Sequence, residues 1–394
     1  MKNRKSTVEA CLATTRRIAS EPAAGPSVAT RRNVLRAMTL AAPAFGCVGL
    51  TGYGGAEAAT PPGPEWQRHP SLEAAGFSTA KIKAMEATLY PYETSSMMIV
   101  KGGRIAYTYG DITTPSYLAS ARKSILSMLY GNYVVNGTIN LDRTLGELGI
   151  DDIGMLTPLE KSARIRDILT ARSGVYHPAG SPGSSANAPA RGSKTPGTYF
   201  FYNNWDFNVA GAIFEKLAGK TIFAAFRDEI AAPLQLQDFD FSRQRMLGFQ
   251  PVRSLYQAYH FFLSCRDMAR LGLLAANGGT WNGKQVVPAS WIQEMTATRV
   301  TAAETGTESG YAYLWWKPGE TRTSAQWRGA SMALGNYGNN ILVLPALDAV
   351  IVHRRYVTDE FAIARNLGDT LVDKPGISTA QFLAACDLIV GAQA

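Results

Sequence analysis

The sequence predicts an α+β fold, an α/β sandwich in which an antiparallel sheet is flanked by helices and interrupted by a mostly helical insertion. Two observations carry the prediction. β-rich apolar runs lie at both ends of the chain, at 96–100 and 105–110 and again at 340–344 and 349–354. The long stretch between them, about 120–298, reads mainly as helices joined by Gly/Pro/Ser loops. Composition agrees with a globular chain: of 394 residues, 46% are hydrophobic and 18% charged.

The elements follow in order. Behind a Pro-rich stretch at 60–70, residues 72–89 read as a helix with Ile82, Met85 and Leu89 on one face. Strands at 96–100 and 105–110 are joined by Lys101-Gly102-Gly103-Arg104, whose glycines suit a hairpin turn. From Ser120 to about Asn136 the apolar spacing is helical, with Ile125, Leu129 and Tyr133 in register and Asn136-Gly137 as a stop. Within the insertion, 179–196 is the least structured segment. Pro345-Ala346-Leu347-Asp348 separates the last two strands, and a final helix is expected at about 360–371. The split sheet subdomain then comprises about 72–119 and 299–394, around an insertion at about 120–298.

The net charge of +8 suggests a polyanionic partner until the charges are located. Through Ala58 there are eight cations and three anions, which leaves +5 in the leader and +3 in the remainder. Thr30-Arg31-Arg32-Asn33-Val34-Leu35-Arg36 followed by an uncharged apolar run to about Gly52 fits a Tat-type signal over residues 1–58, and Ala56-Glu57-Ala58 offers a cleavage site. An uncleaved anchor and a lipoprotein modified at Cys47 are the alternatives, but the apolar run is short for a span of about 20 residues and the aliphatic residue of a lipobox is missing. The expectation is a periplasmic or secreted protein of about 336 residues, delivered by the Tat machinery, without nucleic-acid binding or stable membrane insertion after cleavage.

The mature chain would keep Cys265 and Cys386, either as one disulfide or as two buried thiols. The whole chain has four His, with no pair at zinc spacing. No metal site and no cofactor are expected.

Three segments could carry chemistry. Ser120-Ala121-Arg122-Lys123 is an S-x-x-K at a helix start; positions i and i+3 share a face, so the Lys amine can reach the Ser hydroxyl. Alone it is a weak signal, and a capping Ser beside a solvated Lys is the better reading of it. Tyr202-Asn203-Asn204 precedes a helix whose apolar face includes Trp205, Val209, Ile213 and Leu217, with Asn204 expected to cap it. A Tyr so placed can present its hydroxyl to a cleft, and a neighbouring Lys would lower its pKa so that it can take a proton from Ser. The other reading is an aromatic core cluster. Ala333-Leu334-Gly335-Asn336-Tyr337-Gly338 leads into the strand at 340–344, where edge glycines would let a substrate approach and expose an N–H for an oxyanion.

Together and in this order, the three segments resemble the serine β-lactamase/penicillin-binding superfamily, in its class C-like branch with family VIII carboxylesterases and 6-aminohexanoate-dimer hydrolases. Further segments support the resemblance from about residue 72 to 372: Ile165 to Gly174 looks like the family's LLTMTSG segment, Pro196 to Gly211 like its helix entry PGTxFxYSN, and Cys265 to Leu274 with Gly283 to Met295 like its ARDMARFGLL…W stretch, while Tyr313-Leu314-Trp315-Trp316 also fits. The resemblance implies a β-lactamase/transpeptidase-like fold with Ser120 as the acyl-forming nucleophile. Lys123 and Tyr202 would activate it, Asn204 would bond the Lys or a substrate amide, and the backbone N–H groups of Ser120 and Asn336, beside Gly335, would form the oxyanion hole.

Two departures stand out. Asn203 replaces a small residue, and the family's Lys-Thr-Gly position reads Ala333-Leu334-Gly335, so the cation that gathers a β-lactam carboxylate is missing unless Arg328 replaces it. A lost charged contact of that kind is worth about 1.5–3 kcal/mol. The implied function is a serine hydrolase cleaving a carboxylic ester or small amide. The alternatives are a β-lactamase or penicillin-binding protein, or a catalytically idle envelope protein on the same fold. Tyr176, Tyr199, Tyr311, Trp316 and Tyr337 are candidates to line the acyl pocket, and His177 is the only His close to a motif.

Overall fold

Three unbroken apolar runs, Met97-Met98-Ile99-Val100, Ile341-Leu342-Val343-Leu344 and Val350-Ile351-Val352, decide the sheet, because strands that read apolar at every position must be covered on both faces. A computed structural model describes residues 61–183, 187–319, 321–369 and 376–393. The signal expected over 1–58 and its cleavage site lie outside the described residues.

The sheet has seven strands: β1 (Ser96–Lys101), β2 (Arg104–Gly110), β3 (Gly310–Tyr311), β4 (Trp316–Lys317), β5 (Ser331–Ala333), β6 (Asn340–Leu344) and β7 (Ala349–Arg354), in the order β2-β1-β7-β6-β5-β4-β3 with every neighbour antiparallel. Register sorts the apolar runs by face. Met98 pairs with Val352, which pairs with Ile341, and all three enter one core; Ile99, Ile351 and Leu342 form the equivalent row and enter the other.

The second core lies under α1 (Thr79–Ala87), which supplies Ile82 and Met85, and under α7 (Thr379–Gly391), which supplies Phe382, Leu383, Cys386 and Ile389. The first core is larger. It packs α2 (Arg122–Val135), α3 (Asn204–Ala218), α4 (Cys265–Ala276) and α5 (Ala289–Thr296) against the opposite face. Helix α6 (Asp359–Leu367) follows β7 and precedes α7, so the helix expected to be the final one is not. Each fully buried Val, Leu, Ile or Met in these rows stabilises the fold by roughly 1.5–3 kcal/mol.

Several expectations change. The first helix is shorter than 72–89, since Gly76 takes a left-handed turn and Ser78 caps the helix only from Thr79. Three short strands join the four expected ones. The segment entering Gly335 is therefore no edge strand: β5 lies between β6 and β4, and β3 forms that edge. The apolar segment around Cys386 is the helix α7, and Cys265 and Cys386 are buried free thiols. The helical insertion also carries three two-stranded ladders, one of which joins Ser116–Tyr117 to Phe262–Leu263 just ahead of Ser120. Among the described residues no helix is long and apolar enough to cross a membrane.

Helix α4 approaches the sheet through Gly272, where a Cβ would stand 2.4 Å from Val350 Cγ1 and 3.0 Å from Ile341 Cγ2. Both neighbours are stiff β-branched residues of the core. Gly272→Leu should force helix and sheet apart and cost about 1–3 kcal/mol, read as a lower denaturant midpoint; an unchanged midpoint would show that the contact yields freely.

Candidate active site

The chain reaches Ser120 through a constrained corner. Ala119 has a left-handed φ of 50°, a conformation that costs a non-glycine residue energy, and it swings the backbone from the Ser116–Tyr117 strand into a 3-10 turn, Ala119–Ala121, that runs directly into α2. Ser120 is thereby presented at the head of a helix whose first ten residues, Arg122 to Gly131, are all buried.

Lys123 follows one turn later. Its Nζ lies 3.0 Å from Ser120 Oγ, 2.8 Å from Tyr202 Oη and 2.8 Å from Asn204 Oδ1. The amine also lies 4.0 Å from the Phe207 ring centre and 4.2 Å from that of Tyr202. The structure thus brings Ser120, Lys123, Tyr202 and Asn204 into one cluster, although 79 residues separate Lys123 from Tyr202.

A division of labour at the start of α3 makes this possible. Asn203, not Asn204, is the N-cap: its Oδ1 accepts from the Trp205 N–H at 3.1 Å and its Nδ2 donates to the Val175 carbonyl at 2.9 Å. The residue that departs from the family pattern thus performs the capping, and the Asn204 side chain is left for Lys123. Asn204 Nδ2 donates to the Pro182 carbonyl, so its oxygen is held toward the amine.

Burial sets the protonation states. Desolvation, assisted by the neighbouring Arg122 charge, holds Lys123 well below the ordinary lysine range. Tyr202 moves opposite to the expectation from sequence. Desolvation pushes it up to about 12, and contacts with Ser120, Arg122 and Trp316 only partly oppose the rise. Tyr202 rests as the neutral phenol, because burial disfavours the phenolate. A neutral amine has two N–H groups and one lone pair. Asn204 Oδ1 can only accept and takes one N–H, which leaves the second N–H and the lone pair to Ser120 and Tyr202.

The remaining candidates separate. Ser120 and Asn336 both line an 890 Å³ cleft, and both also line a smaller cavity of 280 Å³ beside Gly335. A Cβ on Gly335 would stand 2.3 Å from the Leu118 carbonyl and 3.1 Å from the Ala121 N, so glycine is what lets the β5 turn close on the nucleophile's turn. Its N–H donates to Asn340 Oδ1 at 3.1 Å. Tyr199, Trp316 and Tyr337 line these cavities.

Tyr176 does not: it is buried edge-on against Phe201, and of the two only Phe201 lines the cleft. Tyr311 is likewise core, packed against Tyr202 and Trp316. His177 is a buried anchor, its ring nitrogens 2.7 Å from the Ile153 carbonyl and 2.9 Å from that of Pro178. Arg328 is exposed and lies outside the cleft lining. The buried Arg122 of the cleft escapes a reading by sequence, since nothing in Ser-Ala-Arg-Lys marks its third residue as inward-facing.

The depressed Lys123 has a measurable consequence. The unfolded chain keeps a lysine protonated up to about pH 10, whereas the folded chain holds the neutral amine to lower pH. The unfolded state then binds more protons, so this group makes stability rise with pH up to about 10. Lys123→Met should remove that slope: its stability advantage over the parent, measured by chemical denaturation from pH 6 to 10, should shrink as pH rises. A constant difference would show that Lys123 is charged in the fold.

Comparison with known proteins places this geometry. The beta-lactamase family profile matches residues 92–358. A search of curated sequences returned no match. Among solved structures, a protein from Bacillus anthracis provisionally described as a 6-aminohexanoate-dimer hydrolase is 18% identical, with a TM-score of 0.56 over 85% of this chain and 89% of its own. EstCE1, described as a hydrolase with promiscuous acyltransferase activity, is 16% identical with a TM-score of 0.56 over 79% of this chain and 97% of its own. A penicillin-binding protein from Bacillus halodurans is 14% identical with a TM-score of 0.51 over 71% and 97%. At such identities the likeness is one of fold. With the profile spanning the sheet and the insertion together, the chain belongs to the beta-lactamase family and has its serine-hydrolase fold.

Proposed function

We propose that the protein is a serine hydrolase that cleaves carboxylic esters or small amides through an acyl-enzyme on Ser120. The observation that carries this reading is the Lys123 amine, set within 3.0 Å of Ser120 Oγ and within 2.8 Å of Tyr202 Oη in surroundings that favour its neutral form.

In this reading Ser120 Oγ attacks the acyl carbonyl while its proton moves to the Lys123 lone pair. The oxyanion that forms is met by the backbone N–H groups of Ser120 and Asn336. The proton then returns through the Tyr202 hydroxyl, which gives its own proton to the leaving oxygen or nitrogen and takes one from Lys123. Water repeats the sequence on the acyl-enzyme and releases the acid and free Ser120. Such base catalysis typically contributes about 10²–10⁴-fold. The position where the family carries Lys-Thr-Gly holds Ala333-Leu334-Gly335, and Arg328 is exposed, which favours esters and amides over β-lactams.

Ser120→Ala should abolish hydrolysis of 4-nitrophenyl butyrate and labelling by a fluorophosphonate probe, while leaving the denaturation midpoint nearly unchanged. Turnover that survives in the variant would remove Ser120 from the mechanism. A stable adduct with a fluorescent penicillin would instead favour the penicillin-binding reading.

We also propose that the basic leader exports the folded enzyme to the periplasm or medium through the Tat machinery, a reading that rests on Arg31-Arg32 and the uncharged run behind them. Replacing both arginines with lysine should retain the precursor in the cytoplasm, as followed by fractionation. Unimpaired export would contradict it.

A further inference from the structure

The described residues lining the 890 Å³ cleft include three arginines, Arg122, Arg253 and Arg365, and no Asp or Glu. Arg122 is the unusual one. It is 3% exposed, and no carboxylate pairs with it among the described residues. Its Nη2 donates to Asn208 Oδ1 at 3.3 Å, and its guanidinium carbon stands 4.3 Å over the Tyr259 ring, but Nη1 is buried without a hydrogen-bond partner.

A buried guanidinium without a counter-charge is costly, since several kcal/mol of hydration are given up and no Coulomb attraction replaces them. A buried polar atom without a partner is rare in native interiors and calls for a structural or functional explanation. The adjoining wall is built alike. His260 is 2% exposed, its ring nitrogens make no hydrogen bond of standard geometry, and Asn366 stands beside it. Burial, with the charge of Arg122, keeps that ring neutral, so it offers one N–H donor and no competing cation.

We propose that Arg122, with His260 beside it, is a carboxylate-binding subsite of this cleft, and that the substrates are esters or amides whose acyl half ends in a carboxylate. The proposal rests on the serine-hydrolase reading for the reaction, though not for the binding. Ser120, Arg122 and His260 line the same cavity, so an acyl chain held at Ser120 occupies the space that the arginine and the histidine bound. The Nη1 of Arg122 would donate to the carboxylate, in the charge-assisted geometry that guanidinium and carboxylate share. This subsite lies on the nucleophile's helix, away from the β5 strand where the Ala333-Leu334-Gly335 segment lacks a cation. The missing charge at one wall is thus no sign that the cleft rejects anions.

The test pairs two esters of equal chain length, mono-4-nitrophenyl adipate and 4-nitrophenyl hexanoate. The unaltered protein should prefer the adipate ester in kcat/KM, and Arg122→Gln should reduce that preference about tenfold or more, whatever it does to the absolute rate through Lys123. Since a core arginine can be needed for folding, two measurements avoid that variant. In the unaltered protein, adipate should inhibit hexanoate-ester hydrolysis at concentrations at least tenfold below those required for adipamide. In Ser120→Ala, calorimetry should detect adipate and not adipamide. Equal inhibition by the two, or an unchanged ester preference in Arg122→Gln, overturns the subsite. If neither ester is cleaved the hydrolase reading fails, and adipate binding to Ser120→Ala still decides the subsite alone.

Discussion

The site depends on keeping one amine dry. Lys123 is 1% exposed, and the proposed chemistry depends on desolvation and the Arg122 charge, which weaken the hold of this lysine on its proton. A charged Lys123 would have no lone pair for Ser120 and would turn Tyr202 toward its phenolate. Much of the surrounding architecture can be understood as what holds this helix turn in place. Helix α2 runs through the larger core with serines on buried faces, and both hydroxyls are satisfied there. Ser124 donates to the Leu314 carbonyl at 2.8 Å and Ser127 to that of Tyr313 at 2.7 Å. Tyr130 donates to the Ala210 carbonyl at 2.7 Å, and the Trp291 indole N–H to the Ser127 carbonyl at 2.7 Å. These bonds tie α2 to α3, to α5 and to the segment between β3 and β4. The rotation of the helix is fixed on several sides, and with it the direction in which Lys123 points.

The same economy appears across the cleft. Two adjacent asparagines could both compete to cap α3, yet Asn203 takes the cap and Asn204 the amine. Because Asn204 Nδ2 is committed to Pro182, its amide cannot flip to present a donor to Lys123 without losing that bond. The orientation that gives Lys123 an acceptor for one N–H is built into the loop that forms the cleft wall. Gly335 does for the backbone what Asn204 does for the side chains. The absence of a Cβ there lets the Gly335 turn close on the Ser120 turn, so Asn336 and Ser120 line the same cavities.

Much of this is legible in the sequence. The long apolar runs of β1, β6 and β7 announce strands covered on both faces, and Ser120, Lys123, Tyr202 and Asn204 are marked by spacing and by the segments around them. What is not legible has physical causes. β3 and β4 are two residues each and β5 three, too short for an alternation to register, so the sequence alone makes β5 look like an edge. The pKa of Tyr202 depends on how dry its surroundings are, and a sequence does not state burial. Tyr176 and Tyr199 look alike as loop tyrosines, but the first is buried against Phe201 while the second lines the cleft. Arg122 is hidden in the sequence because an arginine on a helix ordinarily faces water.

Arg122 and Lys123 pose one electrostatic problem. Two cations in the same buried turn cannot both keep their charge at tolerable cost, and of the two only a lysine readily releases its proton. In the proposed mechanism Arg122 therefore has an effect even with no ligand bound: it makes Lys123 a reluctant holder of whatever proton it receives from Ser120. A base that keeps its proton would stall the acyl transfer, whereas one pressed by an adjacent guanidinium passes it on through Tyr202, whose phenol is hard to ionise and so serves as a relay rather than a sink. A carboxylate arriving at Arg122 would offset part of that pressure and raise the basicity of Lys123. Binding of the acyl tail and activation of the nucleophile are then coupled through one charge, and a substrate with the tail would meet a stronger base than a substrate without it.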